Sequence, residues 1–144
     1  MTITKPLFLR ASNGIVNVSA ATTAIHSEGT TLLLDAKCRK IIFDNSEKSS
    51  ELFDKVKQRV KPSKDYAIVL EDGGFIDARI IKEAFESPKT GHLLVIGLNE
   101  RPLYIFDKEK YSDISGLSDA IADVLIDISD DKKVSAIEWA AYQK

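Results

Sequence analysis

Cysteine is almost missing from this 144-residue chain. Cys38 stands alone, which excludes an internal disulfide framework. It lies in Lys37-Cys38-Arg39-Lys40 and reads as an incidental thiol in a polar turn. Histidine is equally scarce. His26 and His92 are the two present, and neither has metal-ligand spacing to a cysteine or to the other. No G-x-S-x-G, P-loop or G-x-G-x-x-G motif occurs. No cofactor and no metal is therefore expected, and the chain does not read as an enzyme. Catalysis would need a pocket joining His26 or His92 to a carboxylate.

Long apolar runs are lacking too. None approaches the roughly 20 residues that span a bilayer. The opening MTITKPLFLRAS lacks the apolar core and cleavage site of a signal peptide. The expectation is a cytoplasmic protein without membrane contact. Aromatic residues are not interleaved with the basic ones, as single-strand platforms require. With a pI of 5.7, nucleic acid is an unfavoured partner.

What is present is the balance of a folded domain: 44% hydrophobic and 29% charged residues, with short apolar runs along the whole length. The pattern predicts one α+β domain over 1–144, with a mainly antiparallel sheet and two helices on one face. It also contains a self-similarity. Units 7–62 and 66–128 match Gly14 to Gly74 and Ile15-Val16-Asn17 to Phe75-Ile76-Asp77. They match Ile25 to Phe85, Leu32–Leu34 to Leu93–Val95, and Phe43-Asp44 to Phe106-Asp107. The expectation is a tandem duplication of a β-hairpins-plus-helix unit.

Each unit begins with strands. Leu7–Arg10 and Ile15–Val18 flank Ser12-Asn13-Gly14, while Tyr66–Leu70 and Phe75–Ala78 flank Asp72-Gly73-Gly74. Such turns tolerate positive φ. The Gly pair at 73–74 also offers backbone N–H groups suited to an anion, and the Glu71-Asp72 carboxylates sit in the same turn. Leu32–Leu34 and Leu93–Leu98 read as central strands, paired with Lys40–Phe43 and Leu103–Phe106. Leu32–Leu34 and Leu93–Leu98 exceed the alternation of a half-covered sheet, so part of the other face is expected to be covered too, with a second subunit as one candidate cover.

Helices close the units. Asp44-Asn45-Ser46-Glu47 resembles a capping box for a helix over Glu47–Val60, stopped by Pro62. Ser115 is the expected N-cap of the second helix, whose apolar face is Leu117, Ile121, Val124, Leu125 and Ile128. Ile80–Phe85 fits either a strand or a helical turn. Val134–Tyr142 reads as a last strand, with a short terminal helix as the rival.

Charge is divided between the halves. Residues 1–64 hold 11 Lys/Arg against 6 Asp/Glu, and residues 65–144 hold 9 against 16. Asp119, Asp123 and Asp127 recur every fourth residue on one helix face, and Asp130 and Asp131 extend them. Each like-charge pair costs about 0.2–0.5 kcal/mol. A solvated face explains such a stripe, as does a cationic partner. The expectation is a non-enzymatic protein that acts by binding another protein, in the manner of a small inhibitor, immunity or phage accessory protein. Asp119, Asp123, Asp127 and Asp130 are its partner-binding residues. A homo-oligomer joining basic half to acidic half is a further possibility. The alternative is a module that sequesters a nucleotide or other small anion. Arg39 and Arg101 are its candidates, because guanidinium forks suit phosphate and carboxylate.

Overall fold

The computed structural model describes residues 5–11 and 14–143. The turn expected at Ser12-Asn13 lies outside them. Strands β1 (Phe8–Ala11) to β5 (Lys40–Asp44) precede helix α1 (Ser49–Arg59). Between them lie β2 (Gly14–Asn17), β3 (Ala21–Ser27) and β4 (Thr30–Asp35). The second half follows with β6 (Ala67–Val69), β7 (Phe75–Asp77), β8 (Ile81–Glu86), β9 (Leu93–Gly97), β10 (Pro102–Phe106) and α2 (Ile114–Ser129). No described helix is long and apolar enough to cross a membrane.

The fold is α+β and its strand pairings are antiparallel, but the single sheet expected is replaced by three. β1–β2 is a separate hairpin, β10-β9-β8 is a three-stranded sheet, and β5-β4-β3-β7-β6 is a five-stranded one. The five-stranded sheet is composite: β7, from the second half, pairs with β3 at Ala24↔Phe75. The helices accordingly do not share one sheet face. α1 packs on β3 and β4, and α2 packs on β8.

Two apolar cores result. Ala24, Leu33, Ile42, Leu52, Val56, Ala67 and Phe75 belong to the first, beneath α1. Ile25, Leu34, Ile68, Ile76, Val95, Phe106, Leu117 and Ile121 belong to the second. Leu33 and Leu34 thus enter opposite cores. The far face of β4 is covered by the second half of the same chain, so the apolar run at 32–34 requires no second subunit.

The two halves share several local registers and turns. Ala21↔Asp35, Thr23↔Leu34, Ala24↔Leu33 and Ile25↔Leu32 on β3–β4 correspond to Ile81↔Gly97, Glu83↔Ile96, Ala84↔Val95 and Phe85↔Leu94 on β8–β9, with the irregularity at the same step. The turns after β4 and β9 also coincide. Asp35 N–H bonds Arg39 O and Gly97 N–H bonds Arg101 O, and Cys38 and Glu100 both adopt φ +64°. Registers shift two expected matches by one residue. Leu32–Leu34 corresponds to Leu94–Ile96, and Phe43-Asp44 to Ile105-Phe106. Burial agrees, since Phe43 and Ile105 are exposed while Asp44 and Phe106 are buried.

Turn chemistry relocates both helix starts. Asp44 Oδ1 accepts from Ser46 N–H, and Ser46 Oγ accepts from Lys48 N–H. These side chains close the turn before the helix, and α1 begins at Ser49 without a side-chain cap. In α2 the cap is Asp113, which accepts from Gly116 N–H, while the Ser115 hydroxyl donates to Glu86. Residues 81–86 are strand, entered through a 3-10 turn at Ala78–Ile80. The last strand expected over 134–142 is absent. That stretch ends in a 3-10 turn, Trp139–Tyr142, whose Trp139 ring stacks on Phe106 at 5.5 Å.

Candidate protein-interaction surface

α2 is amphipathic because its apolar residues recur every three or four positions. Ile114, Leu117, Ile121 and Val124 are buried. On the opposite side Asp119, Asp123 and Asp130 are exposed and Asp127 is half-buried. Ile126, 57% exposed, stands among them. The sequence-expected stripe is therefore assembled on one outward face, with an exposed apolar residue at its edge. Lysine and arginine are absent from the helix. Among the described residues none of the four carboxylates has an ion-pair partner. Asp127 and Asp130 also lie at the helix C-terminus, where the macrodipole disfavours an anion by about 0.3–1 kcal/mol. The arrangement costs stability, as sites shaped for binding do.

A second surface is the outer face of hairpin β1–β2. Strand alternation sends Leu9 and Val16 inward and Phe8, Arg10, Ile15 and Asn17 outward. Phe8 and Ile15 are 49% and 65% exposed. The pattern of alternation in the sequence identifies these strands but gives no sign that the outward face also carries two large apolar residues.

Arg39 and Arg101 occupy equivalent turn positions in the two halves. Arg39 Nε is bound to Asp35 Oδ2 at 2.9 Å, and Arg101 N–H donates to Asn99. The bidentate guanidinium contact belongs to Arg79, whose Nε and Nη2 reach the fully buried Asp77 carboxylate at 2.9–3.2 Å. Its guanidinium also lies 4.3 Å from the centre of the Tyr66 ring.

The histidines have structural neighbours. His26 stacks on Phe53, and its Nδ1 is 3.0 Å from Thr31 Oγ1, which donates to Ser49 O. His92 Nδ1 accepts from Lys108 N–H and lies 3.6 Å from Asp107 Oδ1. Cys38 is buried in the second core. No group of three or more His, Cys, Asp or Glu is placed to hold a metal among the described residues. The Asp72-Gly73-Gly74 turn is closed by Asp72 itself, whose Oδ1 accepts from Gly74 N–H.

Glu71 bonds Lys110 Nζ at 3.0 Å and the Gln143 amide. The Lys110 hydrogen bond, reinforced by Gln143, holds its carboxyl below the usual range despite partial desolvation. Nearby, burial first, and then the charges of Asp72, Tyr111 and Glu71, push the Tyr104 phenol up to about 12. The unfolded chain ionises this phenol near its ordinary value of 10. Stability from this group is thus complete below pH 10 and lost as pH rises towards about 12. Phenolate absorbance should show one native tyrosine ionising near pH 12, and Tyr104→Phe should remove that step. Native ionisation of Tyr104 near pH 10 would contradict the assignment.

No family model, curated protein or solved structure matches the chain.

Proposed function

We propose that the protein is a non-enzymatic binding module whose α2 face docks on a basic surface of another protein. The observation that carries this reading is the set of four carboxylates beside exposed Ile126, without an ion-pair partner among the described residues. Solvation alone favours mixed charges on a surface. A single-sign stripe steers a partner of opposite charge and excludes like-charged competitors. We further infer that the two halves descend from a tandem duplication, a reading supported by their shared registers and turns.

The test is charge reversal. Asp119→Lys, Asp123→Lys and Asp127→Lys together should leave the fold intact, because none is buried. A partner captured on the immobilised wild-type chain, then purified, should bind the triple variant at least about 10-fold more weakly, a difference of about 1.4 kcal/mol. The loss should diminish as salt rises. Unchanged affinity at low salt would remove the stripe from the binding site.

A further inference from the structure

The fold contains one completed joint and the two unfilled halves of another. Hairpin β6–β7 completes the joint by laying β7 against β3. Among the described residues its counterpart, hairpin β1–β2, joins no larger sheet, and β8, the counterpart of β3, has a strand on one side only. We propose that β1–β2 of one copy pairs with the open edge of β8 on a second copy, linking the molecules head to tail. This goes beyond the α2 reading and uses a different surface.

Each feature of the internal joint has its equivalent. On β7, Ala78 N–H bonds Tyr66 O, which leaves Asp77 N–H facing away from β6 and bonded to Thr23 Oγ1 at 2.9 Å. On β2, Val18 N–H bonds Leu7 O, so Asn17 N–H faces away from β1 in the same manner. The residue of β8 that corresponds to Thr23 is Glu83. Its carboxylate supplies the acceptor that the threonine hydroxyl supplies within the chain. The bridge Ala24↔Phe75 becomes Ala84↔Ile15 between copies.

Burial follows the same correspondence. Ala67 and Phe75 on hairpin β6–β7 are 4% and 1% exposed in the first core. Phe8 and Ile15 hold those positions on hairpin β1–β2 and face solvent. Beside β8 runs an open apolar groove lined in part by Ile81, Leu125 and Ile128. Charge favours the same direction, since the half that offers the hairpin is basic and the half that offers the edge is acidic. Charged side chains on an edge strand ordinarily discourage pairing. Here Lys82 is held by Glu100 at 2.6 Å, and Glu83 is the acceptor the joint requires. Because the two surfaces differ, the contact is heterologous and generates a ring or an open chain.

The whole chain tests this by light scattering and cross-linking. Its mass should rise with concentration above the 15.9 kDa of one copy. Ile15→Arg should restore a single-copy mass with unchanged melting temperature, since the side chain is exposed in one copy. Ile15→Cys and Ala84→Cys variants, mixed under mild oxidation, should form a disulfide-linked pair well beyond either variant alone. A mass of one copy up to millimolar concentration would overturn the proposal. So would assembly indifferent to Ile15→Arg, or a mixed cross-link no stronger than the separate ones. Those failures concern hairpin β1–β2 and β8, and leave the charge-reversal result on α2 to be judged by itself.

Discussion

Phe75→Ala is expected to remove about 3–5 kcal/mol of folding stability, whereas Ile15→Ala in dilute solution should change it by less than about 0.5 kcal/mol. The two residues occupy the same place in their hairpins. What separates them is the surface beyond. Phe75 is buried against β3 and loses a full aromatic payload on truncation, and a cavity remains in the first core. The neighbouring backbone has little freedom to collapse into it. A β-carbon at Gly74 would lie 2.8 Å from Ala24 O, so the hairpin already sits as close to β3 as a glycine permits. Urea denaturation of both variants at micromolar concentration measures the contrast. Equal losses would mean that the two hairpins have equivalent surroundings, contrary to the composite sheet.

Phe106→Ala should be similarly damaging, by about 3–5 kcal/mol, and it carries its own optical signal. The Phe106 ring meets Tyr104 and Tyr111 edge-on at 4.8 and 5.6 Å and lies flat against Trp139 at 5.5 Å. Such pairs contribute about 0.5–1.5 kcal/mol beyond their buried area. Trp139 is the one tryptophan of the chain, so its emission reports the stack directly. The variant should fluoresce further to the red under native conditions, because removal of the ring opens Trp139 to water. A large loss of stability with unchanged emission would detach the C-terminal turn from this cluster.

Much of this was legible in the sequence because it is local. The apolar spacing of Leu117, Ile121 and Val124 announces α2, and Asp72-Gly73-Gly74 announces a hairpin turn that Asp72 indeed closes. The acidic residues of α2 follow from the same helical period. Helix starts were harder. Asp44 and Ser46 have the chemistry of caps but bond the turn ahead of α1, and Asp113 was a better-placed acceptor than Ser115. Ile80–Phe85 was ambiguous because a 3-10 turn runs directly into a strand.

The composite sheet was not legible at all. Nothing near Ala24 or Phe75 states that they will meet, and each hairpin satisfies its own local pattern wherever it docks. The same limit applies to the candidate surface. Exposed Ile15 and buried Phe75 look alike in sequence, and their difference is set by which partner strand lies within reach. Arg79 was missed for a related reason. Its claim on Asp77 arises from the 3-10 turn between them, a conformation that spacing alone does not reveal.

The crossing of β7 to β3 has a consequence for synthesis. When the ribosome has delivered α1, the first sheet still lacks the strands that finish its edge, and Ala24 remains uncovered. That sheet closes only after Phe75 has emerged, so the first half depends on the second for its own completion. Chains of more than about 100 residues often gain native structure piece by piece as they are made. This chain is denied that course, and its two halves should appear in the folded state together, as one cooperative event.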